Sequence, residues 1–192
     1  MAVLILGLVL FLGIHSLRIF APAWRDRQVA RLGTMRWKGL YALVSIIGFV
    51  LICYGFGQAR LHPVMLYGPP AGLRHLNGLF VLVASILLFA AYVPNNHLKA
   101  RLGHPMLLAV KVWAFGHLLA TGMQYDVVLF GAFLVWAIVD FVVSRRRDRA
   151  AGVVYPAGSV RGDAITVLLG IVFFVVFAFF LHTRLIGVNP FA

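Results

Sequence analysis

The sequence predicts an all-α protein, a polytopic transmembrane bundle of six helices with both termini periplasmic. Three observations carry this expectation. The 192 residues are 62% hydrophobic and only 11% charged, with a mean hydropathy of +0.97. A soluble domain of this length does not hide that much apolar surface. Six segments, at about 2–20, 40–58, 75–94, 105–122, 126–143 and 164–183, come close to the roughly 20 apolar residues that cross a bilayer. The basic residues alternate between the connections, as they do in multi-pass proteins.

The first segment is apolar from Ala2 to Leu17, broken only by His15 and Ser16. No basic side chain precedes it, so it reads as a retained helix and not as a cleaved leader. Arg25, Arg27, Arg31, Arg36 and Lys38 separate it from the second. The second and third are joined through Arg60 and Arg74, the third and fourth through Lys99 and Arg101. Arg145, Arg146, Arg147, Arg149 and Arg161 lie between the fifth and sixth, and Arg184 alone follows. The rich connections all fall on one side. Put in the cytoplasm, they leave both termini outside, in the periplasm of a bacterial inner membrane. Strands would show period-two alternation, which these runs lack. There is no soluble domain and no repeat, so residues 1–192 read as one transmembrane domain.

Composition also removes function classes. The formal charge of +12 suggests nucleic acid, but the cations sit in short loops beside apolar segments. There they set topology and meet anionic lipid, so the lipid bilayer is the expected partner and nucleic acid is not. No glutamate occurs and all five acidic residues are Asp, which removes the usual general-base carboxylates and most hard-metal chemistry. The single Cys53 allows no disulfide framework.

The stretch "HPMLLAVKVWAFGHLLATG", His104 to Gly122, carries an ammonium and an imidazole inside an apolar run. The charged one costs roughly 3 kcal/mol or more in hydrocarbon. Of seven histidines, His62, His97, His104 and His182 fall near helix ends or loops. His15, His75 and His117 are the ones of interest. One such histidine reads as an interhelical hydrogen bond. Three together point to a metal or haem, for which neutral imidazole is a good ligand and whose flat apolar body packs between helices.

On the fourth segment Val110, Trp113, Ala114, His117, Ala120 and Thr121 share one face. Ala114 and Ala120 there either leave room for a flat cofactor or let helices pack closely. Lys111 and Asp140 lie at similar depth from the cytoplasmic end. They form an ion pair, or Lys111 holds a haem propionate, or it snorkels to the interface. By depth alone His75 matches His117 better than His15 does, because His15 lies near the cytoplasmic end of its helix.

Three stretches resemble one family: "GIHSLRIF" ending the first helix, "PPAGLRHLNG" opening the third, and "GHPMLLAVKVWAFGHLLATG". Together they resemble the NnrU family, membrane proteins associated with bacterial denitrification. They are also similar to its plant and cyanobacterial relative, the 15-cis-zeta-carotene isomerase. The likeness covers nearly the whole chain and implies a haem b held by His15 and His117; His75 stays the rival ligand on depth alone. In the isomerase the reduced haem isomerises a carbon–carbon double bond. NnrU proteins are linked to expression or maturation of nitrite and nitric oxide reductases. The sequence departs from the isomerase at "GAFLVWAIVD", which has no histidine, and at Ala114, where the relative has cysteine.

The resemblance therefore implies a redox-dependent catalyst, isomerase-like with a hydrophobic small-molecule substrate, or a sensor. The alternative is a non-catalytic helper that docks denitrification assembly proteins. An isoprenylcysteine-methyltransferase-like enzyme is a third reading, because "HP" before an apolar helix is similar to that group. The lack of Glu and the short tail "RLIGVNPFA" count against it.

Overall fold

The computed structural model describes residues 1–191, and all regular structure among them is helical apart from one isolated bridge. Helix α1 is Ala2–Phe20, α2 Pro22–Leu32, α3 Thr34–Arg60, α4 Gly72–Tyr92 and α5 His97–Leu102. They are followed by α6 Pro105–Ala120, α7 Gln124–Ala150 and α8 Val160–Val176. A π-helical turn, Phe177–Leu181, then runs into α9, His182–Ile186.

Five stretches are long and apolar enough to cross a membrane: α1, α3, α4, α7 and the continuous run Val160–Ile186. The remaining predicted segment is α6, with 16 residues. At about 1.5 Å per residue it reaches about 24 Å, short of the roughly 30 Å hydrocarbon core. Its ends explain its length. Pro105 opens it, and at its far end Thr121 turns extended. The α3–α4 loop is sewn to that end, with Leu66 N–H donating to Gly122 C=O at 2.8 Å and Gln124 N–H to Val64 C=O at 2.8 Å.

Two basic connections are helical where the sequence reads as loop. In α2, Pro22 sits at the first turn and Gly33, at φ 81°, ends it. None of its residues is buried, and Trp24 reaches back edge-on to Trp37 at 6.0 Å. Helices α3 and α7 each run 27 residues, well past their apolar cores, because Arg and Lys end hydropathy but favour helix.

Packing sets the helices in a row, in the order α3, α1, α7, α6, α4, α8, each against the next. The α1–α3 seam is closest. A Cβ at Gly7, Gly48 or Gly55 would lie 2.3–2.7 Å from backbone nitrogen of the facing helix, so glycine is what lets the two backbones touch. Leu4, Leu8 and Ile52 fill the core beside it. The opposite flank of α3 leaves Leu43, Ile46 and Val50 exposed. Such a face suits acyl chains and not water.

The turn between α4 and α5 depends on Asn96, which is 1% exposed. Its side chain donates to Ala90 C=O at 2.9 Å and Val93 C=O at 2.6 Å, and accepts from Lys99 N–H at 2.7 Å. It thereby closes one helix end and caps the next.

Candidate functional site

His15 and His117 are oriented by the same device. His15 Nδ1 lies 2.6 Å from Phe11 C=O, and His117 Nδ1 lies 2.8 Å from Trp113 C=O. A carbonyl only accepts, so in each ring Nδ1 carries the proton. The lone pair of the neutral imidazole is then on Nε2, the atom that binds a metal.

Aromatic rings surround both. His15 lies 4.3 Å from the Phe11 ring, 5.2 Å from Tyr41 and 6.1 Å from Trp136. His117 stacks on Phe130 at 4.3 Å and lies 5.4 Å from Trp113. Helix α7 joins the two groups by presenting Phe130, Phe133 and Trp136, three residues apart, to its neighbours. Phe133 touches Phe11 at 5.9 Å on one side and Trp113 at 5.7 Å on the other. The result is a ladder of rings from His15 through Phe11, Phe133 and Trp113 to His117.

The ladder measures the separation of the histidines. His15 is level with Trp136 and His117 with Phe130, six residues apart along α7, or about 9 Å. Two imidazoles on one metal ion place their nitrogens roughly 4 Å apart, twice a metal–nitrogen bond. Each histidine alone fits a haem in donor chemistry and in its apolar walls. Phe11, Phe133 and Trp113 connect the two imidazoles in series, ring against ring.

The other predicted residues lie as follows. His75 is exposed on α4, and no ring contact or hydrogen bond joins it to His117 among the described residues. Asn77, two residues on, meets α6, as does Phe80, whose ring lies 5.6 Å from that of Phe115. A Cβ at Gly116 would lie 2.4 Å from Asn77 Oδ1, and that oxygen is buried with no hydrogen-bond partner. Trp113 is inside the ladder. Ala114 is fully buried and Ala120 6% exposed, so both small side chains lie in close helix packing.

The Lys111–Asp140 ion pair is not formed. Lys111 Nζ sits over the Phe141 ring, 3.8 Å from its centre, a cation–π contact. Asp140 is one residue back, about 100° round the helix. It accepts from Ser144 Oγ at 3.0 Å.

Sequence reasoning missed Phe11, Tyr41, Phe130 and Phe133, whose contacts join different helices. Trp136 lies in "GAFLVWAIVD", the stretch without a histidine, and its Nε1 is buried without an acceptor. It also lines an apolar groove of about 560 Å³ between α1 and α7, with Leu12, Gly13 and Gly131. Neither histidine lines that groove.

Comparison with curated proteins and with solved structures gives no match. The family described as NnrU protein matches residues 3–190. That match spans both histidines, the ladder and all the long apolar helices, and the chain belongs to the NnrU family.

Proposed function

We propose that this chain is a haem b protein of the bacterial inner membrane, with six membrane-crossing helices and both termini periplasmic. The haem is held through His117. His15 becomes the second ligand only where the Phe133 and Trp113 rings swing out from between them. The observation that carries the reading is the matched anchoring of the two imidazoles, each with Nδ1 tied to its own helix and Nε2 free among aromatic rings. Bound there, the iron supplies one-electron redox chemistry. The protein's part is to present a neutral nitrogen, exclude water with Phe130 and Trp113, and offer Lys111 as a cation for a propionate. Family membership supports a role as a redox-dependent catalyst or sensor in the expression or maturation of nitrite and nitric oxide reductases.

The test is spectroscopic. Detergent-purified protein, as isolated and after haemin titration, is expected to show a Soret band from acid-extractable haem, since no Cys-x-x-Cys-His site is present. His117→Ala is expected to lose it. His75→Ala is expected to keep it. A chain that takes up no haem, or keeps it fully without His117, rejects the reading.

A further inference from the structure

On the side of the basic connections, the end of α7 and the chain after it enclose a recess of about 400 Å³. Arg101 from α5 and Arg145 and Arg149 from α7 line it, together with Tyr155 and Asp148. This is a different region from the histidine ladder, and its chemistry owes nothing to haem.

The recess is built by specific backbone geometry. Gly152, at φ 62°, reverses the chain after α7, and Val153 N–H returns to Asp148 C=O at 2.9 Å. This left-handed helix stop brings Tyr155 back over the helix end. Gly103, at φ 75°, faces it. A Cβ there would lie 2.6 Å from the Arg145 guanidinium and 2.8 Å from the Tyr155 hydroxyl. A bare glycine is therefore what lets both groups close against α5.

The one carboxylate present does not neutralise the arginines. Asp148 Oδ2 lies 2.6 Å from His104 Nε2 and accepts from the Tyr155 hydroxyl. Burial, and then Asp148, push the Tyr155 phenol up, so it remains a neutral donor. None of Arg101, Arg145 and Arg149 is in an ion pair among the described residues. Three guanidinium charges outweigh one carboxylate and the roughly half negative charge of the helix end.

Depth identifies the ligand. The apolar part of α7 ends near Val143, and Arg145 to Arg149 follow within about 3–9 Å along the axis. Lipid headgroups occupy roughly 5–7 Å beyond the hydrocarbon on each side. We propose that this recess binds phosphate groups bearing two negative charges, at the level where the paired phosphates of an anionic lipid such as cardiolipin lie. Guanidinium forks match phosphate oxygens in geometry as well as charge.

The experiment measures binding to the detergent-purified full chain by native mass spectrometry, with cardiolipin and inorganic pyrophosphate as separate probes. Phosphatidylcholine serves as the uncharged control. Arg149 is exposed and outside any ion pair, so Arg149→Gln is expected to fold, and Arg145→Gln/Arg149→Gln extends it. Arg27→Gln/Arg31→Gln makes the same change of charge on α2. Cardiolipin binding is expected to weaken at least about tenfold in Arg149→Gln and at least about a hundredfold in the double recess variant, against about thirtyfold or less in the double α2 control. Pyrophosphate binding that is lost in the same variants supports the site with a soluble phosphate as its source. Equal loss in the recess and α2 variants overturns the proposal, because general attraction would then explain it. Failure of both phosphate probes to bind the unaltered protein also overturns it.

Discussion

Gly55→Ala tests whether the α1–α3 seam is as close as the structure places it. The added methyl would lie 2.3 Å from Leu4 N and 2.7 Å from Leu4 Cα, where ordinary contact begins at 3.4 Å. Backbone cannot rotate aside as a side chain can, so α1 must retreat by about 1 Å. That retreat unpacks Leu4, which is fully buried with Leu8 and Ile52. Overpacking of this kind costs about 1–3 kcal/mol, offset by up to about 1 kcal/mol from the better helix propensity of alanine. The net loss is about 1–2 kcal/mol. In a chain of this length it lowers the midpoint of thermal unfolding by about 2–8 °C. The matched control is Gly57→Ala on the same helix, where a Cβ meets nothing within 4 Å. It is expected to unfold no lower than the parent. Unfolding in detergent, followed by circular dichroism, separates the two. Equal midpoints would refute the close seam.

Three further outcomes follow from other contacts. Lys111→Met and Asp140→Leu are expected to be additive in unfolding free energy to within about 0.5 kcal/mol, since Lys111 rests on Phe141; a strong coupling would restore the ion pair. Asn96→Ala removes three hydrogen bonds at a buried turn, and a loss of about 2–4 kcal/mol in chemical denaturation is expected; a loss near zero would mean that water replaces them. Alkaline phosphatase fused to the C-terminus is expected to be active in cells and the same enzyme inserted after Gly152 inactive; the reverse pattern would invert the topology.

The helices were legible because their cause is local. Long runs of apolar residues state their own environment. The ends of α3 and α7 were not, because charged residues stop a hydropathy window without stopping a helix. Lys111 and Asp140 show a second limit. Their depths agree along the sequence, but Phe141, one residue on, takes the face toward α6. His104, Asp148 and Tyr155 were out of reach. They meet only because Gly103 and Gly152 adopt positive φ, and nothing within 40 residues of His104 announces its partners.

The ladder makes a claim about the haem reading that one side chain can test. If His15 and His117 ligate the same iron, the rings between them must first leave, and Phe133 is the central one. It touches Phe11 and Trp113 on opposite sides. Phe133→Leu removes the flat ring and keeps an apolar side chain, at a packing cost of about 1 kcal/mol. It touches neither imidazole's anchoring carbonyl. Opening the ladder then becomes easier, and the fraction of six-coordinate low-spin haem is expected to rise over the parent in absorption and electron paramagnetic resonance spectra. His15→Ala placed on top of Phe133→Leu should abolish that gain while leaving five-coordinate haem on His117. A low-spin fraction that falls in Phe133→Leu, or that survives the loss of His15, would mean that the ladder is not what keeps the two histidines apart.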